Sequence, residues 1–417
     1  MKALSAQEIR QVRDKFRESK DHTYLTEVSL VSSKESTSLF NVAGMQQLIP
    51  YLAGKVHPLG KKLYNIQKCI RTVDIDEVGD ASHLTFFEMM GNRSLGSYFK
   101  KEAVQRSWEL LTDKKRFAFD PKKLAVTVFE GDDNASRDEE TAGYRKEAGV
   151  PIHKIAYLPA KNNRRSPGPV GPCGPDTEIF YRVGSSALPP EDSNPGNDED
   201  NWLEIWNNVF MEYYRDEDGK MTKLKNQNVD TGMGFERMCK VMQGKNSVYE
   251  TDIFQPLINL VEQYTGLKYT ANERRMRIIV DHLRTAALLI NDGVLPSNVG
   301  SGYILRMIIR RCYYNLLLLK DIAEKDLQDY IKKSLEQILP VRPINTSLVE
   351  KALLNEIVLF KKTIAHGLKL LHEKIASLDN KKELKGEDIF TLYDTYGFPF
   401  EITKEIALEQ NIKIDEK

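Results

Sequence analysis

The sequence predicts an α+β chain: an antiparallel sheet flanked by helices, followed by an all-helical domain. Three observations predict it. Strand-like runs dominate residues 63–215, helical segments interrupt them without regular alternation, and from about residue 252 apolar positions recur at helical spacing almost throughout. The irregular alternation argues against a doubly wound parallel fold.

The elements follow in order. Ser5 and Glu8 form a capping-box pattern ahead of Ile9, Val12 and Phe16, so the chain opens on an amphipathic helix. Strands are expected at 63–71, 82–91, 124–131, 177–184 and 204–215, the last running into an Asp218-Gly219 turn, with a helix at 98–112. Residues 185–201, proline-rich and acidic without periodicity, read as an exposed loop. Phe235, Met238, Val241 and Met242 set a helix from Phe235 to Gln243, with Gly244 as its stop. Helices at 252–265, 273–291, 302–319, 326–338 and 346–378 complete the chain. We place the domain boundary near 250, giving domains at 1–250 and 251–417.

Hydrophobic content of 41% and charged content of 29% fit a water-soluble globular protein. Sixty basic side chains balance sixty acidic ones, so any nucleic-acid surface must be local. Cys69, Cys173, Cys239 and Cys312 form no CxxC pair, which excludes a disulfide framework or zinc knuckle and suits a reducing compartment. The N-terminus has no signal-peptide core, and the longest apolar run, 316–319, cannot cross a bilayer. A cytoplasmic protein without a membrane partner is expected.

No P-loop or dinucleotide fingerprint is present; QGKNS at 243–247 lacks the spacing. Gly232 and Gly234 nevertheless stand at a helix start, where a ligand can approach the backbone and the first-turn N–H groups favour an anion, with Arg237 adding a cation one turn in. The alternative is a glycine turn opening a core helix, with Arg237 solvated. Arg71 ends one apolar strand, and a short acidic loop leads to a return strand bearing His83, Phe86, Phe87 and Glu88. Such a hairpin can set a guanidinium against a phosphate while a phenylalanine stacks on a base; alternatively one of the two phenylalanines belongs to the core. The Gly-Pro stretch at 168–181 reads as a rigid turn entering a strand, with Cys173 packed in it and Asp176 or Glu178 available to a magnesium ion.

The segments LFNVAGMQQ, QKCIR, TFFEMMGNRSLGSYFKKEA, GPCGPDTEIFY, LEIWNNVFMEYYR, VDTGMGFERM, VDHLRTAALLINDGVLPSN, GYILRMIIRR and LYDTYGFPFEIT fall in order between residues 39 and 403. Together they resemble the alanyl-tRNA synthetase family of the class II aminoacyl-tRNA synthetases. The resemblance implies an ATP-dependent ligase that activates L-alanine as alanyl-adenylate and passes the alanyl group to the tRNA(Ala) acceptor stem, with Mg2+ accompanying ATP. It implies that Arg71 lies against the α-phosphate and Arg237 on the ATP tail, in an ATP site completed by His83, Phe87, Glu88, Arg165, Glu178, Gly232 and Gly234. Asn207, Val209 and Asp230 match the alanine pocket, Asp230 pairing with the ammonium. Asn298 and Asp394 match the residues that read the G·U pair of the acceptor stem. Between 274 and 311 stand seven arginines, Arg306 and Arg310 among them, against only Asp281 and Asp292, a local basic surface for tRNA.

The chain departs from its relatives in several places. Its motif-two loop, TVDIDEVGD, is shorter than their Gly-Gly-Lys-His-Asn-Asp run, and Leu84 replaces a second histidine. Arg93, Arg164 and Arg165 fall where relatives carry tryptophan or another aromatic, which leaves two readings: arginine codons that the source organism translates as tryptophan, or true substitutions with guanidiniums facing solvent or phosphate. These departures motivate a second reading, a catalytically weakened paralogue acting as a tRNA-binding or regulatory protein. The zinc-site patterns HxxxH and CxxxH of the editing domain do not occur, so no structural zinc and no C-terminal dimerisation module are expected, and with them a monomer.

Overall fold

The computed structural model describes residues 2–33, 38–133, 135–166, 170–184, 188–378, 383–396 and 398–415. Residues 185–187 of the expected loop and 167–169 at the Gly-Pro stretch lie outside the described residues. The chain divides into two compact units, Met1–Arg71 with Phe87–Ile253 and Thr72–Phe86 with Phe254–Lys417. The short acidic loop between the first two long strands therefore belongs with the helical residues.

In the first unit the opening helix, Ala6–Glu18, starts on the capping box: Glu8 N donates to Ser5 Oγ at 3.2 Å, and Ser5 N donates to Glu8 Oε2 at 2.8 Å. Its apolar stripe buries Ile9 and Phe16 completely. The sheet uses β1 (Thr23–Tyr24), β2 (Lys62–Ile70), β3 (Phe86–Leu95), β4 (Leu124–Phe129), β5 (Ile155–Leu158), β6 (Arg164–Arg165), β7 (Gly171–Arg182), β8 (Trp202–Arg215) and β9 (Met221–Gly234). Their order is β1-β2-β3-β9-β8-β7-β4-β5, with β6 paired on β7. The centre is antiparallel, and a parallel pair stands at each edge, β1 with β2 and β4 with β5.

Two expectations need correction. β7 begins at Gly171, so from Gly171 on the Gly-Pro stretch is already strand, and Cys173 is a buried strand residue opposite Tyr213. Glycine makes this possible: a Cβ at Gly174 would stand 1.8 Å from Phe210 O on the neighbouring strand. The return strand begins at Phe86, not at 82, because Asp80 Oδ1 takes the backbone N–H groups of Ser82 at 2.8 Å and His83 at 2.7 Å and holds them in a turn. Sequence periodicity also passes over β9, whose first half, MTKLKNQ, is largely exposed and polar.

The second unit is built from helices Gln255–Thr265, Glu273–Asn291, Gly300–Leu319, Glu324–Ile338, Thr346–Ala376, Gly386–Asp394 and Phe400–Glu409. Helix Glu273–Asn291 is buried from Met276 to Ile290, polar residues included. Those polar groups hold the Thr72–Phe86 segment. Thr85 N donates to Asp281 Oδ1 at 2.9 Å, Arg277 donates to Gly79 O at 3.3 Å, and Arg311 from the next helix donates to Ile75 O at 3.0 Å. Arg277, Arg284 and Arg311 are buried, so the expected basic surface between 274 and 311 is in part a set of interior donors. No helix among the described residues is long and apolar enough to cross a membrane.

Candidate active site

Cross-strand register gathers the sequence candidates of the first unit. Asp176 on β7 lies opposite Val209 on β8, Val209 opposite Asp230 on β9, and Asp230 opposite Arg93 on β3. Glu178 lies opposite Asn207, and Asn207 opposite Gly232. Because strand side chains alternate with a period of two, both rows project from one face of the sheet, with directly opposed Cβ atoms about 5 Å apart. Gly232 and Gly234 have ordinary backbone angles and act by leaving space: a Cβ on Gly232 would sit 2.7 Å from Met89 Sδ. Gly234 caps the helix Phe235–Met242, and Arg237 rises from its first turn.

Carboxylates crowd this face. Arg165 donates to Glu178 Oε1 at 2.6 Å and lies 3.5 Å from Asp176. Asn207 Nδ2 donates to Glu178 Oε1 at 3.1 Å and also to Asp176. Arg237 donates to the backbone oxygen of Glu204 at 3.0 Å and to its carboxylate at 3.2 Å. Burial, reinforced by the charges of Glu204 and Asp176, raises the Glu178 pKa, and burial raises that of Asp176 in spite of Arg165.

Arg71, at the end of β2, is exposed; its guanidinium lies 4.9 Å from the Phe87 ring centre, and its Nε donates to Val42 O at 3.3 Å. Phe86 is buried and Phe87 half-buried, as alternation demands. Glu88 is fully buried, its carboxylate 2.5 Å from Arg10 of the opening helix, and so faces the interior. His83 stands in the other unit, its Nδ1 2.6 Å from Asp80 Oδ2.

Of the three unusual arginines only Arg93 is withdrawn from solvent, Arg164 and Arg165 staying partly exposed, and each pairs with a carboxylate. Arg93 Nε donates to Asp230 Oδ1 at 2.7 Å in a buried pair, Arg164 donates to both oxygens of Asp132 at 2.6 and 3.1 Å, and Arg165 takes Glu178. Sequence reasoning missed Glu204. Simple alternation sets it on the face opposite Asn207, but a register shift in β8 pairs Glu204 with Phe180 while Asn207 pairs with Glu178, so the extra residue returns Glu204 to the active face.

In the second unit, Asn298, Arg306, Arg310 and Asp394 line one cavity of about 340 Å³ together with Tyr303 and Glu401. Arg306 donates to Asn298 Oδ1, and Glu356 Oε1 lies 2.8 Å from Arg310 and 3.4 Å from Arg306. Four candidates spread over 97 positions of sequence thus line one cavity, and Tyr303 and Glu401 in its lining, like Glu356 paired with its two arginines, were not announced by the sequence.

The profile of the family described as tRNA synthetases class II (A) matches residues 8–417. An alanine-tRNA ligase of Borrelia hermsii is 44% identical over 423 residues, covering 99% of this chain and 70% of its own length. One of Thermotoga petrophila is 42% identical over 427 residues, covering 100% of this chain but 48% of its own. The apo Staphylococcus aureus histidyl-tRNA synthetase structure aligns with a TM-score of 0.34 and 13% identity, over 57% of this chain and 66% of that one. The profile match runs through every strand of the crowded face and on through the helical cavity, and it makes this chain a member of the class II (A) tRNA synthetase family.

Proposed function

We propose that the chain activates L-alanine with ATP as alanyl-adenylate and transfers the alanyl group to tRNA(Ala). The observation that carries this reading is the single sheet face on which Glu178, Asn207, Val209, Asp230 and Gly232 stand in register, with Arg237 rising beside it. In this reading Asp230 anchors the alanine ammonium. Val209, directly opposite, fills the space that a longer side chain would need, and Asn207 lines the same pocket. Attack of the alanine carboxylate on the α-phosphate gathers charge at a pentavalent centre, which Arg71 neutralises; adenylation needs positioning and charge compensation, not a protein nucleophile.

Arg237 takes the ATP tail, exchanging Glu204 for phosphate oxygens. Glu178 and Glu204 offer hard oxygen donors to the Mg2+ that accompanies ATP, although among the described residues no group of three or more His, Cys, Asp or Glu side chains is placed to hold a metal ion by itself. Glu178 and Glu204 would hold Mg2+ there, and the ion would offset phosphate charge. Adenylation is assigned to residues 1–250 and tRNA recognition to 251–417, where Asn298, Arg306, Arg310 and Asp394 supply donors and acceptors for the acceptor stem. A weakened paralogue fits less well, because the substrate-facing set is retained together. The buried, unpaired cysteines suit a reducing cytoplasm.

The test is alanine-dependent exchange of pyrophosphate into ATP. The parent is expected to exceed the Arg71→Ala variant by about 10²–10³-fold, the scale for losing one preorganised transition-state donor. Parent exchange no greater than that control overturns the reading.

A further inference from the structure

We propose that Arg93 is a positioning residue for alanine: its guanidinium holds one oxygen of the Asp230 carboxylate and fixes the other toward the substrate ammonium. This rests on the reading of Asp230 given above. The two residues are directly opposed on β3 and β9, and their side chains share a face. Arg93 Nε donates to Asp230 Oδ1 at 2.7 Å, and the guanidinium is held from β2 as well, where Asn65 Oδ1 accepts from its NH1. Arg93 is wholly buried, whereas the Asp230 side chain keeps 8% of its surface exposed. The acid is therefore the partner that a ligand can reach.

Space for the guanidinium is built into the chain. A Cβ on Gly44 would lie 2.1 Å from Arg93 NH2, and one on Gly91 would lie 2.4 Å from NH1. Larger residues at either position would expel it. A carboxylate has about four acceptor sites over two oxygens, so a guanidinium on one leaves the other for an ammonium. The arrangement also answers an electrostatic need, because burial raises the Asp230 pKa and a protonated acid cannot pair with an ammonium; Arg93 opposes that rise. Facing Asp230 across the strands are Arg93 and the apolar Val209, so Arg93 is the charge that sets its ionisation.

Pyrophosphate exchange with Arg93→Met, Arg93→Lys and Asp230→Asn, at varied alanine, ATP and pH, tests the assignment. Arg93→Met is expected to raise the KM for alanine about tenfold, as for loss of a charged hydrogen bond, and to leave the KM for ATP within about twofold. Its acid limb of kcat/KM for alanine moves to higher pH by about one unit, because Asp230 then protonates more readily. Arg93→Lys keeps the limb in place with a smaller rise in KM. A folded Arg93→Met with unchanged alanine KM and acid limb overturns the role of Arg93, and it leaves the Asp230 reading standing if Asp230→Asn raises the alanine KM. An unchanged alanine KM in Asp230→Asn overturns that reading itself, and an equal rise in both substrates' KM values shows a merely structural arginine. Should Arg93→Met fail to fold, Arg93→Lys decides alone: an alanine-specific rise supports the assignment, and no rise overturns it.

Discussion

Arginine serves two different ends in the two units. On the sheet face of the first, Arg71 is exposed and Arg165 and Arg237 are partly exposed, the last two paired with Glu178 and Glu204. In the helical unit, Arg277 and Arg311 are buried and, besides pairing with Glu273 and Glu405, each gives a donor to a backbone oxygen, of Gly79 and Ile75, while Arg284 covers the Phe86 ring at 4.6 Å. In the proposed function the first set would neutralise charge that comes and goes with substrate. The second set permanently satisfies the carbonyls of a loop that has no strand partner. A run of basic residues in sequence therefore does not by itself mark a nucleic-acid surface; the fate of each guanidinium depends on whether a carbonyl or open solvent lies within its reach.

The sharpest way to break this contrast is Arg311→Met. Arg311 lies 3.2 Å from Glu405 and 3.0 Å from His282 Nε2, and the His282 ring in turn lies 2.8 Å from Asp281, which receives Thr85 N. Burial lowers the His282 pKa, so the ring stays neutral, with Nδ1–H donating to Asp281 and Nε2 accepting from Arg311. Removing the guanidinium leaves a buried carboxylate and two acceptors without their donor, at a cost of about 3–5 kcal/mol in urea unfolding. The exposed Arg71 is the control, and its alanine variant should unfold within about 0.5 kcal/mol of the parent. Equal stability of the two variants would erase the distinction between interior and presented arginines.

A smaller effect separates the two sites by function. Asn298→Ala and Asp394→Ala are each expected to lower charging of tRNA(Ala) about tenfold while pyrophosphate exchange stays near the parent rate, since each removes one hydrogen-bonding group from the helical cavity. Loss of exchange in a folded variant of either would show that the cavity takes part in adenylation.

Much of this was legible in the sequence, and the failures have causes. Element types came through wherever one period was sustained, as in Gly300–Leu319 and Trp202–Arg215. Motifs named candidate site residues, but they carried no sign of those residues' interaction partners. Glu204 was hidden by a register shift, which a period-two reading cannot anticipate. The partnership of Arg93 with Asp230 spans 137 positions and depends on which strands become neighbours, information that no local pattern carries. Glu356 likewise acts on Arg306 and Arg310 from a helix distant in sequence. The beginning of β3 was misread because a side-chain turn at Asp80 outweighed the strand preference of the residues that follow.

The smallest predicted effect concerns Glu178, where substrate chemistry and stability pull in opposite directions. Its folded pKa is raised from an ordinary value of 4.5, chiefly by burial and then by Glu204 and Asp176. A carboxyl that holds its proton more tightly when folded contributes stability that is fully present below the unfolded pKa and is lost as pH climbs through the folded one. The parent should therefore lose stability between about pH 4 and the alkaline range through this group. Glu178→Gln removes the titration, and its amide oxygen can still accept from Arg165. We expect the variant to be more stable than the parent by about 1 kcal/mol at pH 8, with the difference vanishing toward pH 4, as measured by urea unfolding across pH. The same variant should exchange pyrophosphate less well, since a neutral amide would hold the Mg2+ that accompanies the anionic ATP phosphates less well than a carboxylate. A variant that is both less stable at pH 8 and fully active would mean that Glu178 is bound to Arg165 as a structural pair, and the sheet face would then resemble the helical unit in its use of arginine.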